Sequence, residues 1–215
     1  MIKTIITLGD SWPEGAELGN GLRYGDILKD VLNYEDFINF GSAGASNEDM
    51  FEQLQTYGHK HHTNRNTTAI FFLTNPHRSW HWPRFFDWGY DGSWQDKYKE
   101  CYLYFHSDQH TIRRNSMTVI ALQSLCKQWQ IDDYYFAGWV RYAQWSPGVD
   151  LSKIYAEGNQ TAADWFNAYS NNGEHLTDVE NNPYIKPNFA HPNQLGHQLI
   201  ADKLAAWIQD PARLK

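Results

Sequence analysis

Short apolar runs alternate with amphipathic segments along most of the chain. Runs rich in β-branched and aromatic residues predict four buried strands, at 2–8, 36–40, 68–73 and 133–138. Apolar residues at helical spacing predict helices at about 22–32, 48–57, 109–129 and 194–208, with shorter ones at 151–155 and 162–169. This strand–helix alternation predicts an α/β fold, in which a mainly parallel sheet is covered by helices on both faces.

One long stretch interrupts the alternation. From about 77 to 108 the pattern is irregular and rich in tryptophan, tyrosine and phenylalanine. It is too long for a plain connection and predicts a lid or binding loop, or alternatively a satellite cluster that only packs on the domain. The length of 215 residues suits one domain, 1–215, that carries this aromatic-rich insertion.

The amino-acid composition limits the kinds of partner and the location that we expect for the protein. The formal charge of −7 argues against a nucleic-acid binder, which usually needs a basic face. No apolar run reaches membrane-spanning length, and the first residues lack the features of a secretory signal. We therefore expect a cytoplasmic protein, or one exported without such a signal, as a virion component would be. Cys101 and Cys126 fit no metal or redox spacing and predict two reduced, mostly buried thiols.

Candidate chemistry gathers at one edge of the predicted sheet, because the carboxyl ends of successive parallel strands share that edge. Ser11 follows the first strand, Gly44 the second and Asn75 the third, and His191 precedes the last helix. Each has an ordinary alternative role, such as capping a helix or forming a turn. Their coincidence favours a serine nucleophile.

Such a nucleophile needs a base and an oxyanion hole. His191 is the candidate base, and the oxyanion donors would be the backbone N–H groups of Ser11 and Gly44 and the side-chain amide of Asn75. Aromatic residues make up 16% of the chain, more than the core needs, which predicts that some line a cleft or an interface. The expected substrate-binding residues are Asp10, Trp12, Trp80 and Trp82.

These segments resemble the four blocks of the SGNH hydrolases, also called GDSL esterases and lipases. The similar segments, in order, are Gly9-Asp10-Ser11, Asn39-Phe40-Gly41-Ser42-Ala43-Gly44, Thr74-Asn75 and His191-Pro192-Asn193. Thr74 stands where the family usually has Gly, and Pro76 where it usually has Asp. The resemblance implies a flavodoxin-like three-layer α/β/α fold and hydrolysis of esters through an acyl-enzyme, with no metal and no cofactor.

A further departure concerns the third catalytic residue. The family usually carries Asp three residues before the catalytic His, and here that position is Asn188. An Asn carbonyl can hold the His191 ring but offers no negative charge. Either Asn188 assists a dyad, or another acid such as Asp178 or Glu174 reaches His191, or the protein binds without turnover. The retained site residues favour the first two, and Asn188→Asp is expected to raise activity at neutral pH if Asn188 holds the ring.

Other readings stay open. A metal site is conceivable at the clustered histidines, but these fall in polar or proline-interrupted stretches and we expect no functional metal. The histidines concerned are His59, His61, His62, His77 and His81. The tryptophans also suit a non-catalytic glycan-binding module, or an assembly interface or homo-oligomer. By analogy with the family, the expected substrate is a small molecule or carbohydrate that carries a short acyl group, such as acetyl.

Overall fold

A four-stranded parallel sheet forms the centre of the protein. The computed structural model describes residues 2–61, 65–76, 108–138, 140–142, 144–166, 181–186 and 191–210. The strands are β1 (Ile2–Leu8), β2 (Asp36–Asn39), β3 (Arg65–Leu73) and β4 (Asp132–Ala137). All pairings are parallel, in the order β2-β1-β3-β4. The predicted α/β fold with a mainly parallel sheet is confirmed.

Helices connect the strands and cover the sheet. They are α1 (Ser11–Glu14), α2 (Tyr24–Val31), α3 (Asp49–His61), α4 (Asp108–Trp129), α5 (Ala162–Trp165) and α6 (Gln194–Gln209). Two 3₁₀ turns lie at Leu151–Lys153 and Tyr155–Gly158. The start of α6 is fixed by Asn193, whose side chain accepts hydrogen bonds from the N–H groups of Leu195 and Gly196.

Side chains alternate across the sheet and form one core on each face. On β3, Ile70 and Phe72 join the cluster that packs under α2, α5 and α6. Ala69, Phe71 and Leu73 join the opposite cluster, under α3 and α4. The sheet is therefore the middle of three layers, as expected for a flavodoxin-like α/β/α arrangement.

Two of the differences from the predicted boundaries have a clear physical reason. The four-residue helix α1 occupies part of a stretch for which no helix was predicted, because Asp10 caps it by accepting from Trp12 N–H. Helix α3 continues to His61, four residues beyond its predicted end at about 57. There α3 packs tightly on α4: a side chain on Gly58 would bring its Cβ within 2.2 Å of the Trp129 ring. Packing against α4 therefore extends α3 past the point where the amphipathic pattern in the sequence ends.

Three further expectations can be compared with the described residues only. Cys126 is fully buried and reduced, as predicted, whereas Cys101 lies outside the described residues. The aromatic-rich insertion also lies outside them, apart from the start of α4. None of the helices in the described ranges combines the length and the apolar character that crossing a bilayer would need.

Candidate active site

Ser11 and His191 meet at the carboxyl edge of the sheet. The Ser11 Oγ lies 2.9 Å from the His191 Nε2, although the two residues are 180 positions apart. Ser11 begins α1 directly after β1, and His191 lies just before α6. Both side chains are half-buried. A hydroxyl and an imidazole at this distance have the geometry of a nucleophile and its base.

The turn that carries Ser11 is held rigidly. Gly9 has φ 136°, and a side chain there would bring its Cβ within 2.9 Å of the Phe72 carbonyl oxygen, so only glycine fits. The Gln53 side chain from α3 makes two hydrogen bonds to the backbone of Gly9. Its Oε1 accepts from Gly9 N–H at 2.9 Å, and its Nε2 donates to the Gly9 carbonyl at 3.0 Å. The position of Ser11 therefore depends on contacts from two neighbouring elements.

The loop after β2 is tied to this turn. Ser42 N–H donates to the Gly9 carbonyl at 3.0 Å. A turn follows, closed by Ala45 N–H donating to the Ser42 carbonyl, with Gly44 at φ 75°. A positive φ at this turn position is the conformation that favours glycine. The loop thus brings Gly44, the second expected oxyanion donor, to the same edge as Ser11.

The segment after β3 is fixed by a buried network. Thr74 Oγ1 donates to Asp10 Oδ2 at 2.5 Å, and Thr74 N–H donates to Asn47 Oδ1 at 2.9 Å. Tyr142 Oη donates to the Thr74 carbonyl. Asn75, the next residue, is half-buried. Its backbone is therefore held on the side of the sheet edge that carries Ser11.

Asn47 is the centre of this network. Its Nδ2 donates to Asn115 Oδ1 at 2.7 Å and to Tyr142 Oη at 2.6 Å. Asn115 in turn donates to the Pro76 carbonyl at 2.9 Å. Burial raises the pKa of Tyr142, so its hydroxyl stays protonated and can donate to the Thr74 carbonyl. The sequence reasoning missed Asn47, Asn115 and Tyr142, because separate polar residues on three elements carry no shared local pattern.

The backbone of His191 is held by the segment before it, and the helix that follows it, α6, is joined to α2. The His191 carbonyl accepts from Lys186 N–H at 2.8 Å, beside an antiparallel bridge between Ile185 and Pro192. On the first turn of α6, His197 Nδ1 accepts from Tyr24 N–H at 3.2 Å, which joins α6 to the start of α2. Burial lowers the pKa of His197 to about 4, and nearby positive charges, Arg23 first, act in the same direction. His197 is thus a neutral structural residue.

The other ring nitrogen of His191 faces an acidic side chain that the sequence analysis did not name. Glu17 Oε2 lies 3.4 Å from His191 Nδ1. This Nδ1 is buried and makes no hydrogen bond of good geometry within the part of the chain that is described, so the contact is close but not well aligned. Asn188, which was expected here, lies outside the described residues, as do Asp178 and Glu174.

Comparisons with known proteins bear on the fold. No protein-family model matches the chain, and no curated protein matches it either. The lipase Lip_vut3 from a goat rumen metagenome is similar over 95% of this chain and 96% of its own, at 12% identity and a TM-score of 0.51. A protein from Lactobacillus plantarum is similar over 96% of both chains, at 18% identity and a TM-score of 0.52. The chain has an SGNH hydrolase-like fold.

A member of the lipolytic G-D-S-L family from Veillonella parvula DSM 2008 is also similar, at 16% identity over 97% of this chain and 100% of that one, with a TM-score of 0.49.

The sequence departs from the usual glycine of the resembled family at Thr74, and the structure gives a physical reason for this. The hydroxyl group of Thr74, which a glycine lacks, provides the hydrogen bond to Asp10.

Two of the expected substrate-binding residues are core residues of the SGNH hydrolase-like fold. Trp12 is 0% exposed, with its ring 5.2 Å from that of Phe72 and 5.7 Å from that of Phe166. Asp10 is 1% exposed, and its carboxylate accepts from Thr74 Oγ1 and Trp12 N–H. Their proximity to Ser11 in sequence was misleading, because the first turn of α1 directs Trp12 into the core. Trp80 and Trp82 lie outside the described residues.

No group of three or more His, Cys, Asp or Glu side chains that could hold a metal ion occurs within the described ranges. Of the histidines considered as ligands, His59 is an exposed residue on α3. The side chain of His61 and the residues His62, His77 and His81 fall outside the description.

Proposed function

We propose that the protein is a serine ester hydrolase that acts through an acyl-enzyme. The observation that carries this proposal is the 2.9 Å contact between Ser11 Oγ and His191 Nε2 at the carboxyl edge of β1. The SGNH hydrolase-like fold supports it, because open α/β sheets bind ligands at this edge. If Ser11 and His191 had only a structural role, the turn that carries Ser11 would not need so many contacts at a ligand-binding edge.

The reaction follows from these two residues. His191 Nε2 accepts the Ser11 hydroxyl proton as Ser11 Oγ attacks the ester carbonyl carbon. The tetrahedral intermediate collapses, the C–O bond to the alcohol breaks, and the alcohol leaves with the proton from His191. A water molecule then gives a proton to His191 and attacks the acyl carbon. The bond from that carbon to Ser11 Oγ breaks, His191 returns the proton to Ser11 Oγ, and the acid is released.

The negative oxygen of the intermediate needs donors that are already in place. We assign this role to the backbone N–H groups of Ser11 and Gly44 and to the side-chain amide of Asn75. The hydrogen bonds that tie the Gly44 loop to Gly9, and Thr74 to Asp10, support the assignment, because they hold the three turns at one edge. Fixed donors of this kind stabilise the transition state at little cost in reorganisation.

For the substrate, we propose short acyl esters, such as acetyl esters, of a carbohydrate. The support is the composition of the stretch at 77–108, which is rich in tryptophan and charged residues where a lipid-binding groove would be aliphatic. Trp80 and Trp82 are the proposed sugar-stacking residues. The mechanism requires no metal and no cofactor.

A labelling experiment tests the reaction class. The purified chain is treated with a fluorophosphonate, and the modified peptide is identified by mass spectrometry, beside rates on p-nitrophenyl acetate, p-nitrophenyl palmitate and an acetylated xylan oligosaccharide. We expect Ser11 to be modified and the acetyl esters to be cleaved. Ser11→Ala should abolish both. Ser124→Ala is the matched control, since Ser124 Oγ only donates to the Ile120 carbonyl on the surface of α4.

Two results would contradict the proposal in different ways. Sugar binding without ester cleavage in the wild type, unchanged in Ser11→Ala, would assign the protein as a glycan-binding module. Cleavage of the palmitate ester with inert acetyl esters would preserve the hydrolase and reject the carbohydrate substrate.

A further inference from the structure

We propose that Glu17 is the carboxylate that positions His191 and stabilises its protonated form. This inference rests on the proposed hydrolase function. It assigns to Glu17 the part that the family gives to an Asp three residues before the histidine, a position held here by Asn188.

Each of the two ring nitrogens of His191 lies close to an oxygen atom of a different side chain. Ser11 Oγ lies 2.9 Å from Nε2, and Glu17 Oε2 lies 3.4 Å from Nδ1. The order of groups is therefore hydroxyl, imidazole, carboxylate, which is the arrangement of a catalytic triad. Hydrogen bonds between catalytic groups are often long before substrate binds and shorten in the complex, so 3.4 Å is compatible with this role.

The backbone explains why a residue so close to Ser11 in sequence reaches the far side of the ring. Helix α1 is followed by its C-cap Gly15, whose left-handed φ of 77° turns the chain back. Ala16 N–H and Gly15 N–H both donate to the carbonyl of Ser11 itself, at 3.0 and 3.1 Å. The segment that carries Glu17 is thus attached directly to the nucleophile.

Glu17 itself has a φ of 65°, in the left-handed region that non-glycine residues seldom adopt. Such a conformation is unfavourable for a residue with a side chain, so surrounding contacts must hold it. Strained residues cluster at functional sites, and here the strained residue presents its carboxylate to His191.

The electrostatic effect is that of a partly buried pair. The side chains of His191 and Glu17 are 14% and 31% exposed. His191 becomes positively charged when it accepts the Ser11 proton, and a carboxylate next to Nδ1 stabilises that charge in the transition state. Because Glu17 is partly open to water, we expect a smaller contribution than that of a fully buried triad aspartate.

The test compares Glu17→Gln with Glu35→Gln. Glu35 is an exposed glutamate whose Oε1 accepts from Lys3 N–H at 3.2 Å at the opposite end of β1, so its replacement changes the same charge far from the site. We expect Glu17→Gln to lower kcat for p-nitrophenyl acetate by roughly 10- to 100-fold with KM little changed. Glu35→Gln should keep wild-type kinetics, and Glu17→Asp should recover part of the loss. Thermal melting checks that each variant is folded.

A double-mutant cycle separates positioning from a general structural effect. If Glu17 acts through His191, then Glu17→Gln has no further effect on the residual rate of His191→Ala. A structural role would lower both rates by the same factor. Equal factors in the two backgrounds would overturn the proposal.

The competing residue is tested in parallel. Asn188→Ala should leave kcat within about threefold of the wild type if Glu17 holds the ring. A large loss in Asn188→Ala together with none in Glu17→Gln would overturn the assignment to Glu17 and leave the hydrolase intact. Absence of ester cleavage and of Ser11 labelling in the wild type would instead overturn the proposed function, and with it the role of Glu17.

Discussion

The Thr74 hydroxyl donates a hydrogen bond to Asp10 Oδ2 at 2.5 Å, which joins the turn after β1 to the turn after β3. Each of the two residues directly precedes one that we assign to the site, Ser11 in one turn and Asn75 in the other. Both are buried, so the bond is protected from water. The spacing of the proposed nucleophile and the proposed oxyanion donor is set by this contact.

Removal of this hydrogen bond should affect stability and activity together. Thr74→Val keeps the shape of the side chain but leaves a buried carboxylate oxygen without its donor. Hydrogen bonds to charged groups contribute about 1.5–3 kcal/mol, so we expect a loss of this size in the free energy of unfolding, measured with urea, and a lower kcat. Thr74→Ser, which retains the hydroxyl, should remain close to the wild type. Equal stability of the two variants would mean that the bond contributes little.

The proposed oxyanion role of Asn75 predicts a different pattern. Asn75→Ala should lower kcat by about 10²- to 10³-fold with little change in KM, because the amide acts mainly on the transition state. Steady-state rates on p-nitrophenyl acetate provide the measurement. Asn66→Ala is the control, since Asn66 is exposed near the opposite end of the same strand. A change in KM alone would assign Asn75 to substrate binding.

The buried imidazole of His197 predicts an acid-sensitive fold. Its pKa is lowered to about 4 from the ordinary 6.5, by burial first and then by Arg23, His191 and Lys186. Between these pH values the unfolded chain binds a proton that the folded chain excludes, so the free energy of unfolding falls as the pH falls. The difference corresponds to roughly 3 kcal/mol once the pH is below 4.

Urea unfolding at a series of pH values measures this effect. In His197→Asn, the side-chain oxygen can still accept from Tyr24 N–H, and the stability should depend less steeply on pH between 6.5 and 4. His59→Asn, which replaces an exposed histidine on α3, should retain the slope of the wild type. An unchanged slope in His197→Asn would show that His197 titrates normally.

Burial raises the pKa of the Cys126 thiol, and Asp133 acts in the same direction. The thiol is therefore protonated and inaccessible in the folded protein. Iodoacetamide should leave the Cys126 peptide unmodified in native buffer and modify it in urea, as mass spectrometry can show. Rapid modification in native buffer would indicate that α4 opens locally on the timescale of the reaction.

The layers of the fold were predictable, because the apolar runs of the strands and the amphipathic spacing of the helices are simple patterns in the sequence. The limits of β1 were predicted correctly, since a run rich in β-branched residues that ends before Gly9 signals a buried strand. The place of Ser11 at the carboxyl edge of the sheet was also predictable, because parallel strands share that edge. Trp12 was misassigned, because sequence order does not tell whether the ring after a nucleophile points into a cleft or into the core.

The proximity of Glu17 to His191 could not be predicted from any pattern in the sequence. Glu17 is one acidic residue in a polar loop, and nothing local distinguishes it from other surface glutamates. Its proximity to His191 depends on the left-handed turn after α1 and on where α6 begins. Both are properties of the assembled structure.

The pairing of Ser11 with His191 across 180 positions has a consequence for biosynthesis. On the ribosome, the residues of all four described strands and Ser11 emerge before the imidazole of His191 does. We therefore expect no ester cleavage from ribosome-bound chains until the segment that carries α6 has left the exit tunnel. The onset of turnover would then mark the last step of folding.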